Sequence, residues 1–221
     1  MKNLQILLFT LFLYQNLLAQ TVSLEPNNLI ANQVSMSFEK LNGMKVLKVV
    51  KDSTMKKVDE ATFVRIKNID FQEGIIEVKV LSRLLKTAAP SDRGFIGLAY
   101  HINADNSKFD CIYIRPTNGR ADDQVRRNHS IQYFSFPDFK FDILRKEKPE
   151  RYESYADMGL NEWIKIKIVV KGKQSKLFLN DNEHPSLIVN ESLGNNTAGA
   201  LGLFVDVGTE GYFRDLKVKK E

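Results

Sequence analysis

One cysteine, one tryptophan, three histidines and six prolines occur in 221 residues, and each scarcity excludes something. With Cys111 alone no intrachain disulfide can form, so a buried apolar core must hold the fold. Cys111 sits inside an alternating apolar segment and reads as a small buried residue rather than a nucleophile. His101, His129 and His184 share no metal-ligand spacing, so no metal site is expected. Neither sign of charge dominates. The 32 basic and 27 acidic residues leave +5, scattered along the chain, which gives little reason to expect nucleic acid as a partner. Absent too are the Gly-x-Ser-x-Gly elbow, the phosphate-binding loop, His-Glu-x-x-His and any Cys–His pair at useful spacing.

Long apolar runs are also missing. Leu4 to Leu13 is the most apolar stretch, interrupted by Gln5 and Thr10, and is short for a bilayer span. Lys2 before it and Ala19-Gln20 after it predict a signal peptide over residues 1–20, and hence a secreted or periplasmic, extracytoplasmic chain with no integral span after cleavage. The rival reading is an uncleaved N-terminal anchor. No cysteine stands near the cleavage point to take a lipid. Residues 21–221 then suffice for a single domain with a sizeable core.

What is present is period two. Ile164, Ile166, Ile168 and Val170 alternate with Lys165, Lys167 and Lys171, the pattern of an antiparallel strand with one solvated face. Residues 75–81 do the same. Further strands are predicted near 34–39, 44–51, 62–67, 95–102, 109–115, 130–135, 175–180, 186–189, 200–206 and 211–218, separated by turn residues such as Asn42-Gly43 and Asn180-Asp181-Asn182. Residues 144–158 are the best helical segment, interrupted by Pro149. The expectation is all-β: a two-sheet antiparallel β-sandwich, or jelly roll. In 95–102, Gly97 and Ala99 leave space on one face, either for a ligand or for a large neighbouring side chain.

The densest polar tract runs from Arg115 to Gln132 and returns as a strand beside aromatic residues. Planar Asn, Asp, Gln and Arg groups pair with vicinal hydroxyls, and an aromatic face stacks on a sugar ring. The candidate ligand-binding residues are Arg115, Asp123, Arg127, Asn128, Gln132 and Tyr133. Arg115 and Arg127 would hold hydroxyls or the carboxylate of an acidic sugar, and Tyr133 would stack. The bland alternative is a self-satisfied loop in which Arg126 or Arg127 bridges Asp122 or Asp123. If there is catalysis, Glu153 or Asp122 would be the acid or base, with His129 assisting. No cofactor is implied. Asn103 to Asp110 offers oxygens that calcium could use, but it lacks EF-hand spacing and reads first as a polar hairpin turn.

The segment Gly199 to Val218 resembles the closing two strands of concanavalin A-like lectin/glucanase (laminin-G-like) jelly rolls. Asn161 to Val170 followed by Ser175 to Asp181 is similar to two neighbouring strands of that superfamily, with Asn180-Asp181 where Asn-Gly is usual. More loosely, the chain resembles secreted bacterial domains described as 3-keto-disaccharide hydrolases or family 16-like proteins. The resemblance implies a jelly roll that binds carbohydrate at a bacterial surface and that could act as a glycoside hydrolase. The family 16 Glu-x-Asp-x-(x)-Glu run is absent, so no catalytic residue carries over. The same architecture hosts lectins, glucanases, lyases and adhesion modules. The alternatives are a non-catalytic protein-interaction module, docking through edge strands or the aromatic segment Tyr133 to Phe141, and a degenerate enzyme domain.

Overall fold

The computed structural model describes residues 19–221, so the signal peptide expected over 1–20 lies, apart from Ala19 and Gln20, outside the described residues. In chain order the strands are β1 Gln20–Thr21, β2 Leu29–Asn32, β3 Val34–Leu41, β4 Met44–Lys51, β5 Phe63–Ile66, β6 Gly74–Leu84, β7 Ile96–Ile102 and β8 Phe109–Ile114. They continue as β9 Ile131–Phe136, β10 Glu153–Ser154, β11 Ile164–Lys171, β12 Gln174–Leu179, β13 Leu187–Val189, β14 Ala200–Val205 and β15 Thr209–Lys220. Among the described residues, three short α-helices, α1 Pro116–Gly119, α2 Gln124–Asn128 and α3 Phe141–Glu147, and one 3-10 turn, Pro26–Asn28, complete the elements.

The strands form two antiparallel sheets. One has the order β13-β12-β11-β6-β15-β4-β3, with β1 paired to the end of β15. The other has the order β10-β9-β8-β7-β14-β5-β2. This is the expected jelly-roll sandwich, and every predicted strand is present within three residues at either end. The predicted helix at 144–158 is shorter and earlier: α3 stops before Pro149, which cannot donate to a helical ladder, and residue 153 is already in β10.

Register explains the core. Ile164, Ile166 and Ile168 face Val80, Val78 and Ile76 across the β11–β6 ladder, and all six are buried between the sheets. Each such side chain contributes roughly 1.5–3 kcal/mol by leaving water. The alternating lysines of β11 stay on the solvated face, where Tyr212, Val46 and Leu81 form a small separate cluster with Trp163.

The second sheet differs, because β7, β8 and β14 are buried along their whole length and so on both faces. Its far face is aromatic. Phe109 packs on Phe63 at 5.3 Å and on Phe134 at 5.6 Å, and Tyr113 packs on Phe204 at 5.5 Å. The space beside Gly97 is therefore filled by a neighbour and not by a ligand. A Cβ there would lie 2.3 Å from the Ile112 carbonyl oxygen and 2.7 Å from Tyr113 Cβ. The segment 52–62 and the start of α3 meet over this face, where Lys140 pairs with Glu60 at 2.6 Å and the Phe141 N–H donates to Asp59 at 2.9 Å.

Candidate functional site

The strand ends at one pole of the sandwich gather the polar residues. Here β8 ends, β9 begins, and β4 and β14 finish beside the start of β7. The polar tract crosses this pole as α1 and α2, two short helices where the sequence predicted loop. Asp123 caps α2 by accepting from the Arg126 N–H at 3.0 Å. Arg115 leaves the end of β8 on the far face of the second sheet. Its guanidinium lies 5.0 Å from the centre of the Tyr113 ring. It donates to the Tyr113 hydroxyl at 2.8 Å, and at 3.0 Å each to Gln132 Oε1, Glu153 Oε1 and the His129 carbonyl.

Glu153, with a side chain 5% exposed, is the centre of the buried charge. Arg145 reaches across from α3 and grips both of its oxygens, at 2.6 Å and 2.9 Å. His129 Nδ1 lies 2.9 Å from Oε2, close in distance but too bent to count as a hydrogen bond. Burial pushes the Glu153 carboxyl up. The Arg145 hydrogen bonds and the charges of Arg115 and Arg145 outweigh it, and the group ends below its ordinary value. Burial also lowers His129, against the pull of Glu153 and with the help of Arg145 and Arg115. Glu153 is thus held ionised with both oxygens engaged. That is the electrostatics of a structural anchor and the opposite of a proton donor at neutral pH.

The sequence-derived residues therefore separate. Arg115, His129, Gln132 and Glu153 come together. Gln132 is fully buried, accepting from Arg115 and donating to the carbonyls of Tyr133 and Tyr152, so it offers nothing outward. The expected stacking platform needs correction. Strand alternation turns Tyr133 away from Gln132 to the opposite face, where it is buried. Its hydroxyl donates to Asp110 at 2.7 Å and accepts from the Leu193 N–H at 2.8 Å. Asp122 is exposed and lines none of the cavities of this pole. Asn128 is exposed and accepts from Gln124 at 2.8 Å. Arg127 bridges neither aspartate; it lies 4.9 Å from the Tyr155 ring centre and donates to its hydroxyl at 2.7 Å. Tyr155, 41% exposed, is the aromatic ring available at this pole.

Three cavities adjoin one another here. The central one, about 390 Å³, is floored by Tyr113 and Arg115 and walled by Asp59, Arg93, Asn118 and Arg126. A second, about 410 Å³, holds Tyr155, Asn128 and Glu153 and shares His129 and Val125 with the first. A third, about 470 Å³, lies toward Lys56 and Leu85 and shares Val58, Asp92 and Val207 with the first. Together they make a cleft along the end of the sandwich.

Residues that sequence reasoning missed line the central cavity. Lys51 at the end of β4 pairs with Asp206 after β14 at 2.5 Å, with side chains 4% and 1% exposed. Asp206 also accepts from the Asp59 N–H at 2.8 Å. Asp59 has φ of 51°, in the left-handed region that Asp and Asn tolerate. Its Oδ2 accepts from Phe141, while its buried Oδ1 has no partner within hydrogen-bond geometry; the nearby Arg115 charge and Tyr113 hydroxyl favour the ionised carboxyl. Burial, then the charge of Asp206, raises the Asp59 carboxyl from 3.8 to about 6. Asp59, Arg93 and Asp206 come from connections that carry no motif, which is why only the assembled fold reveals them.

Among the described residues no His/Cys/Asp/Glu cluster is arranged to hold a metal ion. The oxygens of 103–110 are turned to the fold: Asp105 accepts from the Ser107 N–H and hydroxyl, Asn103 from the Lys108 N–H, Asn106 from Arg65 and Asp110 from Tyr133. The aromatic side chains from Tyr133 to Phe141 are buried or half-buried and form no exposed patch. No described helix is long and apolar enough to cross a membrane.

No protein-family model matches the chain, and no curated protein matches it in sequence. Solved structures do. The carbohydrate binding module CBM66 from Bacillus subtilis superposes with a TM-score of 0.54 at 13% identity, covering 86% of this chain and 97% of that one. A protein titled as a candidate glycosyl hydrolase from Parabacteroides distasonis gives 0.53 at 13%, covering 88% and 89%. A galectin-like protein of unknown function, also from Bacillus subtilis, gives 0.52 at 10%, covering 88% and 90%. At these identities the likeness establishes the fold alone, a two-sheet jelly-roll sandwich.

Proposed function

We propose that the chain is an extracytoplasmic carbohydrate-binding jelly roll that holds an oligosaccharide in the cleft at the end of the sandwich. The carrying observation is the cleft itself: three joined cavities in which planar donors and acceptors (Asn118, Arg126, Asn128, His129) stand beside an exposed Tyr155. Concave sites with a few convergent polar groups are where small ligands bind. The neighbouring folds, one titled a carbohydrate-binding module, support the reading. In it Tyr155 takes the stacking role first expected of Tyr133, and Arg115 and Glu153 fix the walls.

The test is thermal unfolding of the protein against neutral and acidic oligosaccharides. A ligand that binds only the folded state raises the midpoint by mass action. A shift with one sugar class that Tyr155→Ala reduces supports the reading. No shift with any sugar, from a protein that unfolds cooperatively, would favour an interaction module instead. A hydrolytic reading finds support in one place. Asp59 and Asp206 are neighbouring carboxyls with contrasting environments, one orphaned and one ion-paired, the contrast that divides proton donor from ionised partner in acid–base sites. Reducing-end release from a bound sugar that disappears in Asp59→Asn would establish it.

A further inference from the structure

Charge at this pole is of two kinds. Glu153 is neutralised by Arg115 and Arg145, and Asp206 by Lys51. Arg93 and Arg126 are not neutralised in this way, for neither has a carboxylate within ion-pair distance among the described residues. Neutral groups hold them instead. Arg93 donates to the Pro90 and Asp92 carbonyls at 2.6 and 3.0 Å. Arg126 donates to Asn118 Oδ1 and the Thr117 carbonyl at 3.3 Å each. The Asp92 carboxylate, which accepts from the Ala89 N–H at 2.7 Å, offsets Arg93 only from a distance. Arg93 and Arg126 repel each other, and Arg115 adds to the repulsion of Arg93. Carbonyl tethers fix a guanidinium without cancelling its charge, so the pair is positioned for an incoming anion.

A second observation narrows the anion. Asp59 lines the same cavity, and its buried Oδ1 has no partner and asks for a donor. A free inorganic anion such as sulfate offers acceptors only. A sugar carboxylate brings acceptors, and its ring hydroxyls bring donors. The apolar walls at Val58, Val125 and Val207 suit the C–H faces of such a ring. Resting on the carbohydrate reading above, we propose that the central cavity selects a uronate unit of an acidic oligosaccharide. Its carboxylate meets Arg93 and Arg126, and a ring hydroxyl donates to Asp59.

Titration calorimetry of the protein with uronate trimers (galacturonate, glucuronate, mannuronate) and the matching neutral trimers tests this. At least one uronate trimer should bind about tenfold or more tightly than its neutral counterpart and weaken between about 50 and about 500 mM NaCl. Arg93→Gln and Arg126→Gln should each remove most of that preference, lowering uronate affinity far more than neutral-sugar affinity, without lowering the melting midpoint. Equal affinity for neutral and acidic trimers, or uronate binding indifferent to both substitutions, would overturn the inference and leave the carbohydrate reading standing. Absence of binding by any trimer would overturn both.

Discussion

Replacing Asp59 by Asn should stabilise the protein, and by an amount that depends on pH. The folded-state carboxyl titrates at about 6 instead of 3.8, because it is buried and faces Asp206. A folded value above the unfolded one means that the native state binds the proton more tightly. Stability is then full below the unfolded value, falls as pH rises between the two, and stays reduced above the folded one. At ~1.36 kcal/mol per pKa unit, the reduction at neutral pH is on the order of 3 kcal/mol. That figure already contains the Phe141 hydrogen bond, which pulls the other way. An amide imitates the protonated acid: its oxygen still accepts from Phe141, its nitrogen occupies the place of the orphaned oxygen, and Asn tolerates the positive φ. Urea unfolding of both proteins at about pH 4 and about pH 8 should therefore show almost no difference at the lower value and up to ~3 kcal/mol in favour of the variant at the higher. In a domain of this size that is roughly 6–12 °C in melting midpoint. An advantage independent of pH, or a variant less stable at pH 8, would refute the account of Asp59 as an incompletely compensated buried charge.

Three other substitutions probe the same pole. Glu153→Gln leaves Arg115 buried without its main counter-charge and should cost about 3–5 kcal/mol in urea unfolding, far more than an exposed ion pair such as Lys45–Glu25. His129 should titrate below its ordinary 6.5 when its ring protons are followed by NMR, and Glu153→Gln should lower it further by removing the anion that pulls it up. Gly97→Ala drives a methyl into the Ile112 carbonyl and the Tyr113 backbone, and should destabilise by about 1–3 kcal/mol or more in thermal unfolding without any ligand being involved.

The fold was legible because its information is local. Alternation such as Ile164 to Lys171 states a strand and its buried face at once, and turn residues mark the ends. The polar cluster was legible only in part. Arg115 and His129 lie in a polar run between two strands, which must fold over the strand ends, and Glu153 stands between Tyr152 and Tyr155 further on; the fold brings these three together. Two kinds of information were missing. The first is facing: a shift of one residue exchanges the roles of Gln132 and Tyr133, and nothing in the run says which side is the cavity. The second is long-range assembly. Asp206 meets Lys51 and Asp59 across most of the chain's length, and each alone is an ordinary loop or strand-end residue.

That second set is where the physical argument for function is strongest. A neutralised buried charge such as Glu153 fixes α3 and β10 against β9, and its presence is explained by the fold it holds. Asp59, Arg93 and Arg126 lack such a counter-charge within ion-pair distance among the described residues. An orphaned buried oxygen costs about 1–3 kcal/mol, and repelling guanidiniums add to the cost. Asn at 59 and Gln at 93 or 126 would relieve those costs within the same backbone. Groups that weaken a fold locally, when simpler residues would serve it better, are expected where a ligand supplies what is missing. Stability gained by Asp59→Asn together with affinity lost by the same substitution would be the signature of that exchange at this cleft.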